Sequence, residues 1–189
     1  MKQNQTTRLF IVLISVLFIA AGVLANGYVI TSGEANFVAV LESILIIVAL
    51  VSALFYIFLG YKKDAAHYFK LFLYLFALAQ LVSIVNATFN PEHTTLSVAL
   101  AALTYAPVLI LASAKDLGRR VSLILCGIVI AVYLFIFVGA AFTYPGSLRG
   151  GTSFGTFVLI RDGALLLLSL IMGVITFAKY VDKAERHTT

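Results

Sequence analysis

Three charged side chains stand inside segments of the chain that are otherwise apolar. Glu42 lies near the start of the second apolar segment, and Arg161 and Asp162 lie near the start of the last one. Charged groups are costly inside a membrane, and they usually face other helices or a water-filled cavity. These residue types therefore predict ion pairing or the binding of a polar solute.

The three charges are expected at one depth in the membrane. At 1.5 Å per residue, each lies about 8–10 Å below the outer boundary of its helix. We expect Arg161 to pair with Glu42 or with Asp162. Three interpretations stay open: a structural ion pair that clamps two helices, a solute site built around the charges, and extension of each side chain to the outer surface.

Small and polar residues lie on the same helical faces as Glu42 and Asp162, because residues seven apart in sequence are separated by nearly two full turns. The face on the last segment consists of Gly155, Asp162, Ser169, Gly173 and Thr176, and that on the second of Glu42, Ala49, Ala53, Tyr56 and Gly60. Small residues allow helix backbones to approach closely. Both faces are therefore predicted to pack against other helices, whereas Arg161, about 100° from Asp162, is free to point to a third helix or to the surface.

Two asparagines add polar groups near the same level. Asn26 ends the first apolar segment, and Asn86 lies near the outer end of the third. We expect both to contribute to a ligand-binding pocket between the first, second, third and sixth segments. The alternative is that they cap helices or form hydrogen bonds between helices.

A proline and a glycine-rich connection are the candidates for gating elements. A proline within the fourth segment frees the carbonyl of Leu103, and Thr104 and Tyr105 beside it are placed either to re-satisfy that group or to face a cavity. The connection at 143–156 is rich in glycine, so it is able to close over a pocket or to bind an anion through backbone N–H groups. A passive kink and a flexible turn are the plainer alternatives. The gating candidates are Pro107, Arg149, Gly150 and Gly151.

The chain shows no pattern for a metal site or for catalysis. Its three histidines stand at or beyond the ends of the apolar segments, and no serine–histidine pair or His-Glu-x-x-His motif occurs within them. The single cysteine, Cys126, excludes an internal disulfide and a Cys-x-x-Cys pair. We therefore expect no metal, no cofactor and no enzyme activity.

Six apolar segments must position these groups. The chain is 62% apolar and only 11% charged, which is typical of a membrane protein. Unpaired backbone groups are too costly in lipid, so the segments are expected to be helices. The sequence predicts an all-α, six-helix transmembrane bundle that forms one domain over 1–189. The predicted spans are 9–28, 37–61, 66–89, 96–114, 121–142 and 154–178.

The distribution of basic residues predicts the orientation. The first, third and fifth connections hold one lysine or arginine between them, Arg149, whereas the two ends and the other connections hold nearly all the rest. The positive-inside rule then predicts that both termini lie in the cytoplasm. The expected location of the protein is the plasma (inner) membrane. The same rule accounts for the net charge of +5, so nucleic-acid binding is not needed to explain it. The first segment is longer than an ordinary signal-peptide core, so we expect it to be retained; cleavage after it would leave five spans.

The function expected from these features is that of a solute-binding or transport component with a polar site near the outer leaflet. In size and layout the chain resembles the substrate-binding subunits of energy-coupling-factor vitamin transporters, a likeness of architecture that no residue motif carries. The alternative is a non-catalytic accessory or scaffold protein that associates with another membrane protein. The expected partners are the lipid bilayer, a small-molecule solute and a membrane-protein partner.

Overall fold

A computed structural model describes the backbone of residues 2–33, 35–59, 65–89, 95–114, 117–144 and 153–186. Side chains are described over 9–33, 35–59, 65–85, 88, 98–114, 117–144 and 154–178. All the regular secondary structure of these residues is helical, which confirms the all-α prediction. The helices are α1 (Lys2–Thr31), α2 (Phe37–Phe58), α3 (Ala66–Phe89), α4 (Thr95–Ser113), α5 (Arg119–Thr143) and α6 (Ser153–Arg186).

Most of these helices are long and apolar enough to cross a membrane. The five apolar spans in the described residues are Leu9–Thr31, Phe37–Phe58, Ala66–Val85, Arg119–Thr143 and Phe154–Ala178. The apolar part of α4, Val98–Ser113, is shorter than these. The whole of α4 has 19 residues and so extends about 28 Å, close to the ~30 Å hydrocarbon thickness of a bilayer. The structure is thus consistent with a helical membrane bundle, and its five apolar spans lie close to five of the six predicted ones.

The outside of the bundle is apolar. Leu24 is 75% exposed, and Phe37 and Phe142 are each 81% exposed. A water-soluble monomer rarely exposes so much contiguous apolar surface. Contact with lipid tails explains this surface, because large apolar side chains there need no protein partner.

The six helices form a ring in chain order. Each helix packs against the next, α6 returns to pack against α1, and α2 and α6 also meet across the ring. Since the connections are short, neighbouring helices run antiparallel. The N-termini of α2, α4 and α6 therefore share one end of the bundle, called here the Asn36 end. The N-termini of α3 and α5 share the opposite end, called the Arg119 end.

The turn between α1 and α2 shows how local sequence sets this geometry. Gly33 has a φ of 75°, in the left-handed region that glycine adopts most readily, and it follows the last turn of α1. Asn36 then caps α2: its side-chain oxygen accepts a hydrogen bond from the Ala39 N–H at 2.9 Å. Further along, Gly22 of α1 lies so close to α2 that an added Cβ would stand 2.9 Å from Leu50 Cδ1. Small residues thus bring α1 and α2 into close contact.

The two faces predicted to pack are largely buried. On α2 the buried members are Glu42, Ala49, Ala53 and Tyr56, and on α6 they are Gly155, Ser169 and Thr176, with Asp162 and Gly173 half-buried. Gly60 lies outside the described residues. On α6, Ser169 and Thr176 continue the Asp162 face, and Thr176 lies 3.5 Å from the sulfur of Cys126 on α5. This face of α6 therefore turns towards α5, and Arg161 turns towards α2.

Candidate functional site

An ion pair between α2 and α6 is the centre of the candidate site. The guanidinium Nη2 of Arg161 lies 2.8 Å from the carboxylate Oε2 of Glu42, so it donates a charge-assisted hydrogen bond. The Glu42 side chain is only 4% exposed and that of Arg161 34% exposed. The predicted pairing of Arg161 is thus with Glu42, and it links two helices that otherwise touch only slightly.

The depths of the two residues explain why they meet. Glu42 is about 8 Å along α2 from the Asn36 end, and Arg161 is about 12 Å along α6 from the same end. The long arginine side chain bridges this difference by extending towards the Asn36 end. Arg161 therefore neither points away to the surface nor pairs with its neighbour in sequence.

Asp162 keeps a carboxylate beside this pair without joining it. Within the described residues its oxygens form no ion pair within 4.0 Å and no hydrogen bond, although the charges of Arg161 and Glu42 both act on it. The half-buried side chain stands on the α5-facing side of α6. Asp162 therefore adds a second, unpaired acidic group beside the Glu42–Arg161 pair.

Tyr133 of α5 brings a hydroxyl to the same region. Its side chain is 6% exposed, and the hydroxyl lies beside the side chains of Thr104 and Gln80. It is also close enough to Glu42 and Arg161 to interact with both charges. We call these five residues, Glu42, Arg161, Tyr133, Thr104 and Gln80, the polar centre.

A column of aromatic rings holds Tyr133 in place. The rings of Tyr56 and Phe69 stack at a centroid distance of 5.3 Å near the Arg119 end. Phe72 and Phe76 continue the column along α3, and Phe76 stacks on Tyr133 at 6.3 Å. The column is apolar and buried, so it closes the polar centre on the side of the Arg119 end.

The amide of Gln80 has no hydrogen-bond partner among the described residues. Gln80 is 2% exposed, and neither its nitrogen nor its oxygen meets hydrogen-bond geometry there, although the Tyr133 hydroxyl lies near enough to interact with it. Thr104, 1% exposed, donates its hydroxyl proton to the Ala101 carbonyl at 2.8 Å. A buried amide without partners costs about 1–3 kcal/mol in a protein, so its polar atoms call for a water molecule or a ligand.

The remaining predicted residues fall outside this arrangement. Asn26 is buried, but its amide nitrogen donates to the Gly22 carbonyl at 2.8 Å within α1. Pro107 is buried inside an α4 that continues as a helix on both sides. The side chain of Asn86 and the residues Arg149, Gly150 and Gly151 lie outside the described residues, so their predicted roles stay predictions.

Two expectations about the site need correction. The pocket was expected between the first, second, third and sixth helices, yet α4 and α5 supply Thr104 and Tyr133, and the Asn26 amide of α1 bonds within its own helix. Of the two roles open for Thr104, its hydroxyl does not re-satisfy the Leu103 carbonyl that Pro107 frees, because it donates to the Ala101 carbonyl instead. The packing of α4 against α3 and α5 accounts for the inward position of Thr104 and Tyr133.

Residues of the polar centre carry a weak sequence signal of their own. Gln80, Thr104 and Tyr133 are polar residues well inside apolar segments, and Tyr133 shares a helical face with the buried Cys126 and Val129. Such signals become informative only when the order of helices around the ring is known.

Comparison with protein families, curated proteins and solved structures finds no significant match. The architectural likeness to vitamin-transporter subunits therefore gains no support.

Proposed function

We propose that this protein is a membrane-embedded solute-binding or transport component, and that the polar centre is its binding site. The observation that carries the proposal is the unpaired, buried amide of Gln80 beside Tyr133 and the Glu42–Arg161 pair. A purely structural cluster is expected to satisfy every buried polar atom. A site that releases and rebinds a solute leaves some of them unsatisfied between the two events.

The charges of the centre favour a small zwitterionic solute. A cationic group of such a solute would pair with Glu42 or Asp162, and its anionic group would pair with Arg161. Binding would exchange one ion pair for two without burying a net charge. The amide of Gln80 and the hydroxyls of Tyr133 and Thr104 would then accept or donate hydrogen bonds and so select among solutes.

We propose that the Asn36 end faces the outside of the cell and that the protein resides in the plasma membrane with both termini in the cytoplasm. This orientation is supported by the positive-inside distribution of lysine and arginine. It places the polar centre on the outer side of the aromatic column. A solute would therefore enter from outside.

Ligand-induced stabilisation of the purified full-length chain in detergent tests the proposal. Cys126 is the single cysteine and is 2% exposed, so a fluorogenic maleimide reports unfolding at that one site. We expect one class within a library of amino acids, other zwitterions, vitamins, nucleosides and metal ions to raise the unfolding temperature saturably. At about 100 times its dissociation constant, such a ligand adds about 2.7 kcal/mol of stability.

Two variants and a control make this experiment specific. Gln80→Leu and Glu42→Gln should each abolish the ligand effect. Ser52→Ala should keep it, because the buried Ser52 hydroxyl bonds the Val48 carbonyl of its own helix at 3.0 Å. A stabilising ligand whose effect survives both centre variants would contradict the proposed site, and a library without any stabilising compound would count against solute binding.

A scaffold function is the second candidate, and the closed geometry of the ion pair favours it. At 2.8 Å, Glu42 and Arg161 already satisfy one another, as expected of a clamp between helices. Under this hypothesis the protein would co-purify with a fixed membrane-protein partner, and no library compound would stabilise it. Gln80→Leu would then leave both the partner and the fold intact.

A further inference from the structure

An apolar groove runs along the outside of the bundle near the Arg119 end. Because α1 and α5 both pack against α6, they leave a cleft between them over its outer face. The cleft has a volume of about 390 Å³. Its lining includes Ile14 of α1, Cys126, Gly127 and Ile130 of α5, and Gly173 and Phe177 of α6.

Glycines make the groove deep. A Cβ added at Gly127 would meet nothing within 4 Å, and one added at Gly173 would stand 3.0 Å from Ile130 Cδ1. The absence of a side chain at Gly127 leaves the cleft open to an elongated apolar group, whereas Gly173 allows Ile130 of α5 to pack closely against α6 at the edge of the cleft. The groove lies on the lipid-facing surface, with Gly173 about 18 Å along α6 from Arg161. It is therefore separate from the polar centre.

A basic residue marks the end of the groove. The guanidinium carbon of Arg119 lies 5.7 Å from the centre of the Phe177 ring, over its face. Arg119 begins α5, and its N-cap, Gly118, supplies no side-chain cap to the first turn. The start of a helix also favours a negative charge. Positive charge thus stands where an apolar chain would leave the groove.

The length of the groove matches one leaflet of a bilayer. From Arg119 to Ile130, α5 rises about 16 Å, and half the hydrocarbon thickness is about 15 Å. We propose that the groove binds an anionic phospholipid, with one acyl chain along Gly127 and Gly173 and the phosphate at Arg119. The headgroup then lies at the Arg119 end, where basic residues near a membrane surface attract anionic lipids.

Titration of the delipidated, full-length protein with phosphatidylglycerol and with phosphatidylcholine, followed by native mass spectrometry, tests this site. We expect about fivefold tighter binding of phosphatidylglycerol, the ratio that corresponds to one basic residue at the surface. Arg119→Gln should bring the ratio close to one. Lys70→Gln is the matched control, because Lys70 is an exposed basic residue in the first turns of α3, at the same end of the bundle.

Substitutions that fill the groove distinguish a specific lipid-binding site from general contact with lipid. Gly127→Leu should weaken binding of both lipids at least fivefold, whereas Gly139→Leu should not, although an added Cβ at Gly139 also meets nothing within 4 Å. Equal affinities for the two lipids in the unmodified protein would overturn the proposal. So would a Gly127→Leu variant that dissociates a homodimer with unchanged lipid affinity, because the groove would then be a contact between two copies.

Discussion

The ion pair between Glu42 and Arg161 allows a quantitative prediction. Glu42 is 3% exposed, so it loses nearly all its hydration, and its hydrogen bond from Arg161 is 2.8 Å long. Hydrogen bonds to charged groups contribute about 1.5–3 kcal/mol. Because the Arg161 side chain is about one-third exposed, we expect a value in the lower half of that range. The predicted coupling energy of the pair is about 2 kcal/mol.

A double-mutant cycle measures this coupling. We expect Glu42→Gln to lower the free energy of unfolding by about 2 kcal/mol and Arg161→Met by about 3 kcal/mol, because the latter leaves a buried carboxylate unpaired. The double variant should lose only about 3 kcal/mol, since it leaves no uncompensated charge. Unfolding would be followed by labelling of Cys126 in detergent at increasing dodecyl sulfate, as the chain has no tryptophan to serve as a probe.

A second cycle provides the control. Asp162 adjoins Arg161 in sequence but forms no ion pair with it within 4.0 Å. The coupling of Asp162→Asn with Arg161→Met should therefore stay below about 1 kcal/mol. A coupling of Glu42 with Arg161 below about 0.5 kcal/mol, or one no larger than that of Asp162, would refute the assigned pairing.

Three further predictions concern helix packing, a helix cap and the unpaired amide, each followed by the same Cys126 assay. Gly22→Ala should destabilise the protein by about 1 kcal/mol, because the new methyl group meets Leu50 at 2.9 Å, whereas Gly27→Ala, with nothing within 4 Å, should not. Asn36→Ala should cost about 1 kcal/mol by removing the cap of α2, and Asn36→Asp should preserve it. Gln80→Leu should raise the free energy of unfolding by about 1 kcal/mol, because it replaces a buried amide without partners by an apolar side chain of similar size. A loss of stability in Gln80→Leu would mean that the amide is already paired in the protein.

Hydropathy and helical spacing predicted much of this fold. The number of helices and most span boundaries follow from the length of each apolar segment, which must cross the bilayer without unpaired backbone groups. Equal depth and opposite charge were sufficient to predict that Arg161 pairs with either Glu42 or Asp162. The choice between Glu42 and Asp162 depended on the rotation of α6 about its axis, which the packing of the α6 faces sets.

The polar centre was harder to predict because it depends on the order of helices around the ring. Thr104 and Tyr133 lie far apart in sequence, and only the packing of α4 between α3 and α5 brings them together with Gln80. The amide of Asn26 shows the opposite case: a polar side chain at a promising depth forms its hydrogen bond within its own helix. The groove at Gly127 likewise depends on α1 and α5 both packing on α6.

The central claim, that the polar centre is a solute site that opens to the outside during solute exchange, can be tested without knowing the solute. In a Cys126→Ser background, Thr104→Cys places a thiol in the centre. Ser52→Cys, about 22 Å along α2 from the Asn36 end, places one in the closed apolar core. We predict that a charged, membrane-impermeant methanethiosulfonate added outside intact cells modifies Thr104→Cys and leaves Ser52→Cys unmodified. Labelling of Thr104→Cys no faster than that of Ser52→Cys would contradict the account and leave the polar centre as a structural clamp.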